Sequence, residues 1–106
     1  GELSAVELKA LIDDAADFLL VDVREPGEHE LVAIGGEVLI PHREILSGAA
    51  LGRLPRDRDL VLYCRSGARS GACVTALREV GYTRVRNLDG GILAWADQVA
   101  PELPRY

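Results

Sequence analysis

The sequence predicts a small α/β protein whose parallel β-sheet is flanked by helices on both faces. Short apolar runs, of the kind that parallel sheets bury on both sides, recur along the chain and are separated by helical patterns. Strands that alternate with helices need crossover connections, and these produce parallel strands. The length of 106 residues and the hydrophobic content of 48% suit one compact core. We therefore expect a single domain over residues 1–106.

The first half of the chain contains three helical patterns and two strand patterns. Ser4 and Glu7 have the spacing of a capping box. The apolar residues that follow recur on one face of a helix: Leu8, Leu11, Ile12 and Ala15. A continuous apolar run at residues 18–21, ended by Asp22, predicts the first strand, and a run at 37–40 predicts the second. Short helices are predicted at residues 28–32 and 43–46.

The second half repeats this alternation. Residues 60–63 form another apolar run and predict a buried strand. A long helical pattern at residues 68–80 ends before Gly81, a typical residue just beyond a helix. Its apolar face carries Ala72, Cys73, Ala76, Leu77 and Val80. A last strand is predicted at residues 84–88 and a last helix at 92–99, which Trp95 should anchor in the core.

Composition excludes several classes of protein. No apolar run approaches the roughly 20 residues that a membrane helix needs, so we expect no membrane partner. Two cysteines are too few for the disulfide framework of a secreted protein, and no signal-peptide pattern precedes the first helix. We therefore expect a reducing compartment, the cytoplasm. The sequence starts at Gly1 and contains no methionine, which predicts either an excised domain or a tag remnant.

The charge is distributed unevenly. The formal net charge of −5 argues against nucleic-acid binding, which needs a basic surface. Residues 42–86 nevertheless carry nine arginines against four acidic residues, whereas the rest of the chain has a net charge of −10. This pattern fits an ordinary mixed-charge surface. It also fits a cationic site mouth on an acidic protein, which would suit an anionic substrate.

The strongest indication of chemistry lies at residues 60–70, LVLYCRSGARS. A buried strand ends on Cys64, a loop with one glycine follows, and a helix begins on its far side. Ligands of open α/β sheets bind beyond the carboxyl ends of the strands, where helix N-termini converge. Loop amides and the positive helix end would favour a thiolate, and Arg65 and Arg69 would add positive charge. These effects predict a pKa below about 8.5 and a nucleophilic cysteine.

Structural interpretations compete with functional ones at the cysteines and histidines. A lone cysteine is often a small buried hydrophobic residue, and we prefer that interpretation for Cys73, on the apolar face of the long helix. The position of Cys64 favours a functional role instead. A metal site is not predicted, because the cysteines are nine residues apart and His29 and His42 lack ligand spacing. Each histidine is predicted to be a surface residue.

Four motifs, in order along the chain, resemble the rhodanese-like sulfurtransferase family. They are VDVREP at residues 21–26, GGEVLIP at 35–41, CRSGARS at 64–70 and GGILAW at 90–95. Residues 95–106 also look like the end of a rhodanese domain fused behind a ubiquitin-activating-like adenylyltransferase, in molybdopterin and thiamine-type sulfur-carrier pathways. The resemblance thus implies a domain from the C-terminus of a larger protein. Residues 32–36 lack the family's usual Gly-His-Ile histidine, which leaves substrate preference open.

The resemblance implies that Cys64 accepts a sulfane sulfur as a persulfide, from a donor such as thiosulfate, and passes it to a thiophilic acceptor without a cofactor. The implied binding residues are the rest of the motif: Arg65, Ser66, Gly67, Ala68, Arg69 and Ser70. Asp22 and Arg24 are implied as supporting residues, with a strand-end ion pair as the alternative. The implied partners are a small anionic sulfur donor and a ubiquitin-like sulfur carrier or a cysteine desulfurase.

Two other functions fit parts of the pattern. Phosphatases and arsenate reductases also hold a cysteine in an anion-binding loop, but they usually have an arginine six residues later, where this chain has Ser70. A non-catalytic module would retain the fold and dock an acidic partner through its basic face. The presence of Cys64 and both loop arginines argues against that alternative.

Overall fold

Five parallel strands form one sheet in this protein. They are β1 (Glu2–Leu3), β2 (Phe18–Asp22), β3 (Val38–Leu39), β4 (Asp59–Tyr63) and β5 (Val85–Leu88). Their order across the sheet is β1-β5-β4-β2-β3, so β4 is central. The structure is a computed structural model that describes all 106 residues.

Helices cover both faces of the sheet. They are α1 (Ala5–Asp13), α2 (Pro26–Leu31), α3 (His42–Leu46), α4 (Ala68–Glu79) and α5 (Gly91–Gln98), with a 3-10 turn at Leu51–Arg53. Residues of α1 and α5 share one hydrophobic core, and residues of α3 and α4 share the other. The predicted fold class is confirmed. None of the helices combines the length and the apolar character needed to cross a membrane.

The side chains of β4 alternate between the two cores. Leu60 and Leu62 pack toward α3 and α4, whereas Val61 and Tyr63 pack toward α1 and α5. This alternation follows from the two-residue repeat of a strand. Cys64 continues it, and its side chain belongs to the core on the α4 side.

The capping box of α1 is present, with Ser4 Oγ accepting from the Glu7 amide at 3.0 Å and Glu7 Oε1 accepting from the Ser4 amide at 2.9 Å. The helix ends at Asp13, earlier than its apolar pattern predicts, and Ala15 has a φ of +51°. Acidic residues at a helix C-terminus oppose the helix dipole, which accounts for the early end. Trp95 is buried, as predicted.

Several predicted boundaries were wrong. β1 was missed because two residues carry no periodic signal. β3 is limited to Val38–Leu39, and β5 starts at Val85 rather than at residue 84. α2 starts earlier than predicted, because Pro26 suits the first turn of a helix.

The carboxyl ends of the strands meet at one edge of the sheet. Asp22 is the register partner of Tyr63, and the Val23 amide donates to the Tyr63 carbonyl at 2.9 Å. Cys64 therefore lies beside the segment that follows β2. The N-termini of α4 and α5 begin at the same edge, because each helix closely follows a parallel strand.

Candidate active site

Cys64 stands directly after the central strand, at the carboxyl edge of the sheet. Its thiol is not in a disulfide, and the residue is only 1% exposed. The following residues turn through Ser66 and Gly67 into α4. We call residues 64–70 the cysteine loop.

Three donor groups of the cysteine loop lie within hydrogen-bond distance of the sulfur. The Gly67 amide lies 3.1 Å from Cys64 Sγ, the Ser70 amide 3.5 Å and the Ser70 hydroxyl 3.3 Å. Gly67 adopts a φ of +107°, a conformation that side chains disfavour. Glycine at this position therefore allows the loop amides to converge on the sulfur. Ser66 and Ala68 are exposed on the outside of the turn.

These donors determine the ionisation of Cys64. Burial acts to raise the pKa of the thiol, but the hydroxyl and amide of Ser70 and the amides of Gly67 and Ser66 outweigh it. The pKa of Cys64 is therefore below its ordinary value. Such donors stabilise a negative sulfur because their partial positive charges face it.

The N-terminus of α5 binds two backbone carbonyls of the cysteine loop. The Ile92 amide donates to the Cys64 carbonyl at 2.9 Å, and the Leu93 amide donates to the Arg65 carbonyl at 3.1 Å. A Cβ on Gly91 would lie 2.4 Å from the Arg65 carbonyl oxygen and 2.6 Å from that of Cys64. The sequence places Gly90 and Gly91 just before the last predicted helix, but no pattern in it indicates that Gly91 touches the cysteine loop.

The two arginines of the cysteine loop have different surroundings. Arg69 forms a bidentate ion pair with Glu28 of α2, at 2.7 and 2.9 Å. The hydrogen bonds from Arg69 lower the pKa of Glu28 to about 2, so the carboxylate is ionised at neutral pH. Arg65 has no carboxylate partner, and its guanidinium carbon lies 5.7 Å from the Tyr106 ring centroid.

Of the two interpretations of the arginine-rich stretch at residues 42–86, the ordinary mixed-charge surface fits the structure better than a cationic site mouth. Five of the nine arginines between residues 42 and 86 pair with carboxylates. They are Arg43, Arg53, Arg58, Arg69 and Arg84. The chain fold brings acidic residues of distant segments next to these arginines, which a count along the sequence cannot show. A mixed-charge surface describes most of this region.

Asp22 and Arg24 form a fully buried ion pair. Arg24 Nε and Nη2 donate to the two Asp22 carboxylate oxygens at 3.0 and 2.8 Å, and Nη2 also donates to the Val32 carbonyl at 2.6 Å. Neither side chain is hydrogen-bonded to Cys64. Arg24 Nη1 donates to the Glu28 carbonyl at 3.3 Å, so the pair supports the helix whose carboxylate holds Arg69.

Both histidines are half-buried, so the prediction that they lie on the surface is met only in part. His29 Nδ1 lies 2.9 Å from Asp22 Oδ2, because α2 packs over the end of β2. Tyr63 joins the same group, with its hydroxyl donating to Glu37 at 2.8 Å. Nδ1 of His42 is buried and has no hydrogen-bond partner. Folding brings His29, Asp22 and Tyr63 together from separate segments, so their spacing along the sequence gave no signal.

Cys73 lies in the core, as predicted. Burial raises the pKa of its thiol to about 12, and the nearby charge of Cys64 acts in the same direction. Cys73 is therefore un-ionised at neutral pH. The structure contains no group of three or more histidine, cysteine, aspartate or glutamate residues placed to hold a metal ion.

A parallel α/β fold that holds a thiol among loop amides at the carboxyl edge of its sheet provides surroundings that favour a thiolate. The family model for the rhodanese-like domain matches residues 4–98. This chain belongs to the rhodanese-like domain family.

Similar proteins include sulfurtransferases. One is a probable adenylyltransferase/sulfurtransferase MoeZ of Mycobacterium tuberculosis, 42% identical over 94% of this chain and 26% of that protein. Another is a sulfurtransferase of Allochromatium vinosum, 42% identical over 96% of this chain and 97% of that protein. The solved structure of a rhodanese-related protein from Thermoplasma volcanium matches with a TM-score of 0.82 and 28% identity, covering 99% of this chain and 98% of that one. The chain spans about a quarter of the MoeZ relative.

Proposed function

We propose that this chain is a sulfurtransferase that carries a sulfane sulfur as a persulfide on Cys64. The observation that carries the proposal is the set of donors within 3.5 Å of the sulfur. A persulfide ends in an acidic sulfur, and its anion needs the same kind of preorganised donors as the thiolate. Membership of the rhodanese-like family and the sulfurtransferase relatives support this role.

The proposed reaction consists of two displacements on sulfur. The Cys64 thiolate attacks the outer sulfur of the donor, the donor's own bond to that sulfur breaks, and its electron pair leaves with the remaining fragment, which is sulfite when the donor is thiosulfate. An acceptor thiolate or cyanide then attacks the terminal persulfide sulfur. The Cys64–sulfur bond breaks and the thiolate is regenerated. No external oxidant, reductant or cofactor enters the balance.

Each residue of the cysteine loop has a proposed role. The amides of Ser66, Gly67 and Ser70 stabilise the sulfur anion, and Arg65, which has no carboxylate partner, orients an anionic donor. Ala68 exposes only a methyl group at the N-terminus of α4. Arg69 contributes positive charge near the sulfur, and Glu28 partly neutralises that charge. Asp22 and Arg24 support the site through α2.

The pathway and partners are also proposals. The similarity to MoeZ, of which this chain spans 26%, supports a role as one module of a larger protein. We place that module at the C-terminus of a cytoplasmic protein that serves molybdopterin or thiamine-type sulfur carriers, as the motif resemblance implies. The partners would then be a ubiquitin-like sulfur-carrier protein and either thiosulfate or a cysteine desulfurase. The Allochromatium relative, which matches over almost its full length, supports action as a separate domain over residues 1–106.

The experiment compares the unaltered protein with two cysteine variants. After incubation with thiosulfate, mass spectrometry should show one added sulfur on the unaltered protein and on Cys73→Ala, but none on Cys64→Ser. Cyanide should then release the sulfur as thiocyanate. Cys73→Ala is the matched control, because that cysteine is also buried but its thiol is un-ionised at neutral pH. Equal sulfur loading of Cys64→Ser would contradict the proposal.

A non-catalytic docking module is the second candidate, and the 1% exposure of Cys64 favours it. In this conformation a donor in solution has little access to the sulfur. If the unaltered protein gains no sulfur from thiosulfate or from a protein-borne persulfide, docking becomes the better account. A phosphatase is disfavoured, because both guanidinium nitrogens at the Arg69 tip bind Glu28 and Ser70 occupies the usual arginine position.

A further inference from the structure

Asn87 of β5 binds the cysteine loop from outside it. The residue is 7% exposed. Its Nδ2 donates to the Gly67 carbonyl at 3.1 Å and to Glu2 Oε2 at 2.8 Å. Its Oδ1 accepts from the Ser70 hydroxyl at 2.6 Å. One amide therefore contacts both the turn and the first helical residues that face the sulfur.

The orientation of this amide follows from its partners. The Gly67 carbonyl and the Glu2 carboxylate accept hydrogen bonds but donate none, so the NH2 group must face them. The oxygen of Asn87 must then face Ser70. Glu2 is the register partner of Asn87 in the β1–β5 pair. A Cβ on Gly71 would lie 3.4 Å from Asn87 Nδ2, so that glycine leaves room for the amide.

The Ser70 hydroxyl has one proton and more than one acceptor within reach. Asn87 Oδ1 lies at 2.6 Å, Cys64 Sγ at 3.3 Å and the Gly67 carbonyl at 3.4 Å. A hydroxyl donates one hydrogen bond at a time. The shortest distance assigns the proton to Asn87 while Cys64 is a neutral thiol. A negative sulfur is a stronger acceptor, because hydrogen bonds to ions exceed those to neutral groups.

We propose that Asn87 is a positioning residue: its side-chain oxygen holds the proton of Ser70 while Cys64 is a thiol, and loses it to the sulfur when the cysteine ionises. The change is a rotation of the hydroxyl about the Cβ–Oγ bond. No covalent bond to oxygen breaks, and the thiol proton leaves to solvent. Asn87 thereby competes with Cys64 for one hydrogen bond, which sets how readily the thiolate forms.

Few ionisable groups lie near the Ser70 hydroxyl and its two competing acceptors, Cys64 Sγ and Asn87 Oδ1. Arg69 and Cys73 of α4 sense the Cys64 charge, and Arg69 is already paired with Glu28. Glu2 of β1 contacts the amide of Asn87 rather than the sulfur. From β2 and α2, the Asp22–Arg24 pair and His29 bind one another and not the cysteine loop. Arg65 remains the one unpaired charge of the loop.

The test measures the pKa of Cys64 from thiolate ultraviolet absorbance, in a Cys73→Ala background. Ser70→Ala should raise this pKa by about one unit, since the sulfur loses a donor. Asn87→Ala should lower it by about half a unit, since the proton is then free for the sulfur. The double variant should match Ser70→Ala alone. Thr75→Ala, which removes an exposed hydroxyl from the same helix, should change nothing.

Two results of this experiment would overturn the proposal. One is an Asn87→Ala protein whose Cys64 pKa rises or stays the same. The other is a double variant whose shift is the sum of the two single shifts, because Asn87 would then act independently of Ser70.

A second measurement needs no change at Asn87, should Asn87→Ala fail to fold. In the Cys73→Ala protein, the Asn87 side-chain nitrogen resonance should shift with pH at the midpoint of Cys64 ionisation, and this shift should vanish in Cys64→Ala. A resonance that does not shift at the midpoint of Cys64 ionisation would overturn the proposal. The inference rests on the proposed function only in treating Cys64 as the reactive sulfur. The absorbance and the resonance both report only the ionisation of Cys64. Persulfide formation is measured separately, by mass spectrometry, so the two proposals can fail independently.

Discussion

At the scale of single residues, the site depends on competition for a few polar groups. The sulfur of Cys64 is buried, which disfavours its charge, yet it accepts from donors of the cysteine loop. Arg69 is a loop cation, but Glu28 binds it through both oxygens. The charge that an incoming anion meets is therefore smaller than the residue types alone predict. Under the proposed function, Glu28 would compete with an anionic donor for Arg69.

Glu28→Gln should strengthen the binding of thiosulfate. The amide keeps the size of the side chain but removes its charge, so Arg69 is left with an uncompensated positive charge near Cys64. We expect the KM for thiosulfate to fall by roughly three- to tenfold. Steady-state thiocyanate formation measures it. Glu30→Gln, an exposed change on the same helix, is the control. An unchanged KM in Glu28→Gln would contradict this role.

At the scale of elements, two helix N-termini shape the cysteine loop from opposite sides. The first turn of α4 supplies amides to the sulfur, and α5 binds the carbonyls of Cys64 and Arg65. A peptide whose carbonyl is held on one side points its amide to the other. The close approach of α5 requires Gly91, because a Cβ there would overlap the loop carbonyls.

Gly91→Ala should separate α5 from the cysteine loop. Its φ of +61° disfavours a side chain, and the nearest backbone atoms cannot yield without moving β4 or α5. We expect a loss of about 2 to 4 kcal/mol in the free energy of unfolding, measured with urea, and a raised Cys64 pKa.

Gly27→Ala is the matched control for this prediction. Gly27 lies in α2 with no atom within 4 Å of an added Cβ, so alanine there should be neutral or stabilising by about 0.5 to 1 kcal/mol. If Gly91→Ala were as stable as Gly27→Ala, the close contact between α5 and the cysteine loop would not contribute to the stability of the protein.

At the scale of the whole molecule, ion pairs join segments that are distant in sequence. Arg69 and Glu28 connect α4 with α2, and Arg84 and Asp59 connect the starts of β5 and β4. The pKa of Glu28 is about 2 in the folded protein, mainly because of hydrogen bonds from Arg69. Protonation of Glu28 therefore favours the unfolded chain, whose glutamate has an ordinary pKa.

The stability of the protein should fall in acid. The contribution of Glu28 is complete above its ordinary pKa of 4.5 and is lost as the pH falls toward about 2. Urea unfolding at pH 6 and pH 3 measures this loss. Glu28→Gln should be less stable at pH 6 but lose less between the two pH values, whereas Glu30→Gln should behave like the unaltered protein. An equal pH dependence in Glu28→Gln would contradict the assignment.

Local sequence patterns were enough to predict the fold class and the position of Cys64 at the end of a buried strand. Buried apolar runs that alternate with helical patterns require crossover connections, so the parallel sheet and the place of Cys64 at its edge follow from local pattern. The capping box at Ser4 is equally local, because its partners are three residues apart.

Packing between distant segments determines which groups surround the sulfur and which charges remain unpaired. Glu28 reaches Arg69 across 41 residues, and Asn87 reaches Ser70 across 17. Such contacts depend on strand order and helix packing, and no periodic pattern records them. The chain's local chemistry thus places a cysteine at a helix N-terminus, while long-range packing sets how strongly its thiolate is held.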